Sequence, residues 1–162
     1  AESTFTTAST VTNILDGNIS TMGCSCMEFS YRHSILSDNK NLICISATFT
    51  LKEGKKDEID AVMLDLMHRR ITKQPLEYPS AGSVFKRPAP DLFVGKMIED
   101  SGLKGYTVGG AQVSEKHAGF IINRGGATAK DVLDLVEHIQ NVIRSNYGVE
   151  LECEIRRVGK GE

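Results

Sequence analysis

An α+β fold is predicted by three features of this 162-residue sequence. The first third is rich in strand-like runs, three later stretches carry apolar residues at helical spacing, and further strand-like runs follow two of those helices. Mixed or antiparallel sheets partly covered by helices are the expected architecture.

The elements follow in order. Val11, Ile14 and Leu15 lead into Asp16-Gly17, a strong hairpin signal, and Ile19 resumes the apolar pattern. Residues 41–51 alternate Ile43, Ile45, Ala47, Phe49 and Leu51 with Cys44, Ser46, Thr48 and Thr50, which predicts a half-buried strand. Over 56–73, Ile59, Val62, Met63, Leu66 and Met67 make one helical face. Acids crowd that helix's start and His68, Arg69, Arg70 and Lys73 its end, which suits the helix dipole.

All four prolines fall within residues 74–90, so a boundary is expected there, between a domain at 1–75 and a second at 76–162. A helix is predicted over 91–101, with Phe93, Val94, Met97 and Ile98 facing inward and Gly102 ending it. Residues 106–113 and 119–123 read as a strand pair, bent or bulged at Gly109-Gly110. Thr128 and Asp131 form an imperfect capping box before the stripe Val132, Leu135, Val136, Ile139, Val142 and Ile143, and Gly148 stops that helix. A last strand is expected over 149–158, with Val149, Leu151, Cys153 and Ile155 on one face. Glu150, Glu152, Glu154 and Arg156 take the other, where Arg156 offers an acid a partner.

Composition excludes some functions. With 19 basic against 21 acidic residues, the net charge of −2 argues against a nucleic-acid binder, which needs a basic excess. No apolar run reaches the roughly 20 residues of a membrane span, and Ala1-Glu2-Ser3-Thr4 lacks the character of a secretory signal. Cys24, Cys26, Cys44 and Cys153 have neither zinc spacing nor a disulfide framework, and reduced thiols in a cytoplasmic protein are expected. The four histidines show no metal-ligand spacing, so no metal is expected.

Three clusters stand out as candidates for chemistry: Tyr31-Arg32-His33-Ser34, the small-residue run 80–88 with Ser83 beside Lys86 and Arg87, and the glutamate row of the last strand. Taken singly, each also fits a solvated strand end, turn or face. Small residues let a backbone approach a ligand closely, but Walker, nucleophile-elbow and dinucleotide spacings are all absent.

Taken in order, the motifs are Tyr-Arg-x-Ser (31–34), Arg-x-x-x-Gln-Pro-Leu (70–76) and Pro-Ser-Ala-Gly-Ser-Val-Phe-Lys-Arg-Pro (79–88). Gly-Leu-Lys-Gly (102–105), Gly-Gly-Ala-Gln-Val-Ser-x-Lys-His-Ala-Gly-Phe-Ile-Ile-Asn (109–123) and Leu-x-x-Glu-Ile-Arg (151–156) follow. The series resembles the UDP-N-acetylenolpyruvoylglucosamine reductases, also called UDP-N-acetylmuramate dehydrogenases, over residues 16–159. Family members are about twice as long, and the motifs of their N-terminal part are absent here. The short link between Lys73 and Ser83 is similar to the shorter-loop branch of the family.

The resemblance implies the C-terminal remainder of a flavin-side α+β domain, then a smaller α+β substrate-binding domain. It implies a flavoenzyme of peptidoglycan precursor synthesis that uses FAD and NADPH to reduce the enolpyruvyl ether of UDP-N-acetylglucosamine enolpyruvate. Arg32 is then expected to grip the substrate carboxylate, Ser83 to donate a proton and Glu154 to act at the same carboxylate. Lys73, Lys86 and His117 correspond to UDP-sugar contacts, and Arg70 and Arg156 to flavin-side arginines. Arg87 replaces an asparagine common among relatives. The chain alone is expected to be inactive, because most flavin contacts lie in the missing part. The competing expectation is a UDP-sugar-binding module without redox activity.

Overall fold

The computed structural model describes residues 6–159. The chain divides into two compact units, Ala1–Ile59 and Asp60–Glu162. In the first, β1 (Thr6–Asn13), β2 (Ile19–Gly23) and β3 (Leu42–Phe49) form an antiparallel sheet of order β2-β1-β3. The expected hairpin forms at Gly17, whose φ of 70° takes the left-handed turn that glycine enters without strain. Asp16 Oδ1 accepts the Asn18 N–H at 2.9 Å and fixes the turn.

The predicted strand over 41–51 forms as β3, but its alternation breaks. Val11 pairs with Cys44 and Thr10 with Ser46, so Ile45 is the extra residue of a bulge. The bulge inverts the faces, so Ile43 pairs with Thr12 while Ala47 pairs with Ser9. Ile43, Ile45 and Phe49 are all more than half exposed, and Leu51 lies beyond the strand, so the strand is not half-buried. Among the described residues of this unit, Val11, Met27 and Ser9 are buried, with Met27 supplied by a 3-10 turn at Cys24–Met27. A short helix, α1 (Ile35–Asp38), precedes β3.

Helix α2 (Lys56–Lys73) has the predicted bounds, starting in the first unit and ending in the second. Its apolar face is not buried: Val62, Met63, Leu66 and Met67 are each more than half exposed.

The second unit carries an antiparallel sheet of order β4-β7-β6-β5, built from β4 (Ser80–Ser83), β5 (Thr107–Val108), β6 (Ala111–Val113) and β7 (Phe120–Asn123). The expected single strand over 106–113 is instead the hairpin β5–β6, turning at Gly109 (φ 53°). A Cβ on Gly110 would lie 2.5 Å from Ala127 N and Gly125 O, so only glycine lets these backbones meet.

Helix α3 (Val94–Asp100) starts later than predicted. Val94, Met97 and Ile98 are buried as expected, but Phe93 is not; it is 54% exposed, beneath the Arg87 guanidinium at 4.6 Å. Helix α4 (Ala129–Tyr147) has its predicted capping box: Asp131 N donates to Thr128 Oγ1 (3.1 Å) and Thr128 N to Asp131 Oδ2 (2.9 Å). Leu135, Val136, Ile139 and Ile143 from α4 close the core over Val84, Phe85, Ile98, Val113, Ile121 and Leu151.

The expected last strand is not a regular ladder. Residues 149–158 run beside 84–86 with one bridge, Phe85 to Cys153, and two bonds, Lys86 N to Glu152 O and Glu154 N to Val84 O, both 2.8 Å. The Gln140 side chain takes the Leu151 carbonyl at 2.7 Å, replacing a ladder partner. The inward stripe is still correct, since Leu151 is buried and Val149, Cys153 and Ile155 pack on the core. Two of these acids pair with other cations, Glu150 with Arg144 and Glu152 with Lys86, rather than with Arg156.

Candidate active site

Ser83 stands at the end of β4, opposite Phe120 of β7, just after Gly82 (φ 87°). The Val84 N–H donates to the Gly119 carbonyl at 3.0 Å, which locks this end of β4 to the loop before β7. That loop is fixed by Ser114, 1% exposed, whose Oγ accepts the N–H groups of Lys116 (3.1 Å) and His117 (3.2 Å). The Phe120 N–H then returns to the His117 carbonyl at 3.0 Å.

His117 is oriented by its surroundings. Its Nδ1 accepts the Gly119 N–H at 3.0 Å, and its ring meets Phe120 edge-on at 5.0 Å. A Cβ on Gly119 would lie 3.0 Å from His117 Cε1 and 3.6 Å from Ser83 Oγ, so the imidazole and the hydroxyl border the same bare α-carbon. A Cβ on Gly95 of α3 would lie 3.4 Å from the same ring atom.

On the other side of residues 84–86 lies the C-terminal segment. The register set by the Phe85–Cys153 bridge puts Val84 opposite Glu154 and Lys86 opposite Glu152. Lys86 Nζ is ion-paired with Glu152, and Glu154 is partly buried. Burial pushes the Cys153 thiol up, keeping it protonated and unreactive. Ser83 and His117, predicted from separate stretches, thus border one α-carbon, while Lys86 and Glu154 lie on the paired segments that continue from Ser83.

The other candidates lie on other segments of the chain. Arg70 and Lys73 occupy the exposed last turn of α2, where Arg70 Nε donates to Gln74 Oε1 at 3.1 Å. Arg156 is exposed on the C-terminal segment. Arg32 lies in the first unit, at the tip of a turn closed by Ser30 N to His33 O (3.1 Å) and His33 N to Ser30 O (3.2 Å). Its φ of 57° is left-handed, a conformation that costs a residue with a Cβ about 1–2 kcal/mol. Its guanidinium lies 5.9 Å from the Tyr31 ring.

Sequence reasoning missed several supporting residues. Ser114 and Gly119, which stand in the 109–123 motif without an assigned role, and Gly95 shape the His117 loop. Lys116 pairs with Glu77 (3.2 Å), and Arg124 bonds Tyr78 and stacks on its ring at 4.6 Å, so the link into β4 is fastened at two points. Glu77's own backbone N–H, then Lys116, hold its carboxyl below the usual range. Among the described residues, no three His, Cys, Asp or Glu side chains group as a metal site would, and no helix is long and apolar enough to cross a membrane.

Fold and site define a two-unit α+β protein whose second unit sets a hydroxyl beside an imidazole at one sheet end. The family model described as "UDP-N-acetylenolpyruvoylglucosamine reductase, C-terminal domain" matches residues 74–158. The UDP-N-acetylenolpyruvoylglucosamine reductase of Fervidobacterium nodosum is 61% identical over 127 residues, 78% of this chain and 41% of its own length. That of Caldanaerobacter subterraneus subsp. tengcongensis is 57% identical over 134 residues, 83% of this chain and 44% of its own. The crystal structure of UDP-N-acetylenolpyruvylglucosamine reductase (MurB) from Thermus caldophilus superimposes with a TM-score of 0.77 at 34% identity, covering 94% of this chain and 53% of that one. The chain belongs to the UDP-N-acetylenolpyruvoylglucosamine reductase family. It spans about half the length of the curated relatives it matches.

Proposed function

We propose that this chain is the C-terminal portion of an FAD-dependent, NADPH-driven reductase that converts UDP-N-acetylglucosamine enolpyruvate to UDP-N-acetylmuramate for peptidoglycan precursors in the cytoplasm. The observation that carries this reading is the pairing of Ser83 with His117 at Gly119, with Lys86 and Glu154 on the adjoining paired segments. The exposed apolar residues of α2, with the half-length match to relatives, support a chain that works as part of a larger polypeptide. Residues 1–75 then complete the flavin-side domain and 76–162 form the substrate-binding domain.

The donor set fits a flavin dinucleotide: Arg70 and Arg156 carry exposed guanidinium groups, suited to phosphate and carbonyl oxygens. A bound FAD would supply hydride chemistry at the vinyl carbon of the substrate, with NADPH as the source of the electrons. The residues of this chain handle the charge and the proton. Arg32 grips the substrate carboxylate through two N–H groups and stabilises the negative charge that develops beside it. Ser83 Oγ–H transfers its proton to the carbon bearing that carboxylate, and the alkoxide left behind is reprotonated from water. A hydroxyl is a weak acid, but a carbanion-like carbon is a base strong enough to take its proton.

Glu154 acts at the same carboxylate through a shared proton, since two bare carboxylates would repel. Lys73, Lys86 and His117 hold the UDP-sugar. Lys86 must leave Glu152 to do so, and an exposed pair of this kind is worth at most about 1 kcal/mol, less than a diphosphate offers.

The test is NADPH oxidation by the complete polypeptide. Turnover that depends on UDP-N-acetylglucosamine enolpyruvate is expected, and the chain alone is expected to give none. A complete polypeptide that binds UDP-N-acetylglucosamine, read as a raised melting temperature, yet never oxidises NADPH would establish the binding-module reading instead.

A further inference from the structure

His117 has one ring nitrogen committed and the other open. Nδ1 accepts the Gly119 N–H at 3.0 Å, so it carries the lone pair, and the proton of the neutral ring sits on Nε2. Among the described residues Nε2 has no partner, and no buried side-chain nitrogen or oxygen lacks one, so Nε2 reaches the surface. The ring has little freedom to turn: a Cβ on Gly119 would crowd it at 3.0 Å, Gly95 packs within ordinary contact of it, and Phe120 stands at its edge. Ser83 Oγ, also without a protein partner, borders the same bare α-carbon of Gly119. An unpaired donor on a fixed ring therefore stands next to an unpaired hydroxyl.

We propose that His117 is a catalytic hydrogen-bond donor, giving Nε2–H to an oxygen of the substrate's enolpyruvyl carboxylate as negative charge develops there. The inference rests on the reductase reading and assigns His117 to the reacting end of the substrate, where that reading alone leaves it a general UDP-sugar contact. The carbon protonated by Ser83 bears that carboxylate, so its oxygens lie within a few bonds of the hydroxyl and within reach of the neighbouring imidazole. The diphosphate is better served by charged groups, and Lys86 and Arg87 supply them nearby. A neutral, oriented donor matters most where charge grows during the reaction, because it needs no reorganisation at that moment.

Two measurements test this. A two-bond proton–nitrogen spectrum of the chain should show His117 protonated on Nε2 with Nδ1 bare; the opposite tautomer overturns the proposal. In the complete reductase, His117→Gln puts an amide N–H where Nε2 was, whereas His117→Asn retains polar atoms only near Nδ1. His117→Asn should slow enolpyruvyl reduction about a hundredfold while flavin reduction by NADPH and affinity for UDP stay at wild-type values, and His117→Gln should recover most of the rate. If His117→Asn weakens UDP binding instead, or if both variants are equally slow, His117 is not this donor. Should the wild-type polypeptide fail to reduce the substrate at all, the reductase reading itself falls, an outcome distinct from either.

Discussion

Replacing Gly119 by alanine probes the packing around His117. The added methyl carbon would lie 3.0 Å from Cε1 and 3.1 Å from Nδ1, whereas nonbonded carbon contacts are favourable at about 3.5–4.0 Å. The imidazole must therefore retreat by about half an ångström or more. Doing so stretches the 3.0 Å bond from Gly119 N–H to Nδ1, a loss of about 1 kcal/mol. Overpacking adds about 1 kcal/mol or more, so the total is about 2 kcal/mol. For a unit of this size that lowers Tm by about 10 °C.

Gly95→Ala is the internal control. Its methyl would sit 3.4 Å from the same ring atom, close to ordinary contact, and alanine favours the helical position by up to about 1 kcal/mol. Urea unfolding of the chain, followed by circular dichroism, should find Gly119→Ala destabilised and Gly95→Ala neutral or stabilised. Equal effects within about 0.5 kcal/mol would refute the idea that the imidazole is wedged against Gly119.

Other perturbations have defined outcomes. Ile139→Ala, at a fully buried position in the α4 stripe, should cost about 2–5 kcal/mol in urea unfolding. At Arg32, with its φ of 57°, glycine should give a chain about 1 kcal/mol more stable than alanine, yet both variants should abolish turnover in the complete reductase. Acid should destabilise the fold. The carboxyls of Glu150 (bonded by Arg144), Asp131 (by the backbone N–H and then the hydroxyl of Thr128) and Glu77 all lie below the usual range. Because their folded values are depressed, their stabilisation is complete above the unfolded carboxylate pKa of about 4 and is lost as pH falls through the folded values. Tm should therefore hold steady from about pH 7 to 5 and fall below about pH 4.

Local rules made much of the fold readable. The bounds of α2, the Gly17 turn and the Thr128–Asp131 box depend on neighbours in sequence, and each forms where it is expected. Where distant backbone decides, the sequence was silent. Gly110 splits the 106–113 strand because the 125–127 loop packs against it, and residues 149–158 lose a regular ladder because Gln140 takes a carbonyl. Periodicity indicated which face of α2 is apolar, but not that this face stands exposed. At the site, the motif around Ser83 was legible as a string of small residues beside cations. The tautomer and confinement of His117 were not, since both arise from Gly119, whose meaning appears only once β7 meets the loop.

The most direct test of the account separates the two half-reactions in the complete reductase carrying Ser83→Ala, by rapid mixing. The account predicts flavin reduction by NADPH at the wild-type rate, followed by reoxidation by UDP-N-acetylglucosamine enolpyruvate slowed by orders of magnitude. Reoxidation at an unchanged rate would contradict it, because Ser83 would then not be the source of the proton.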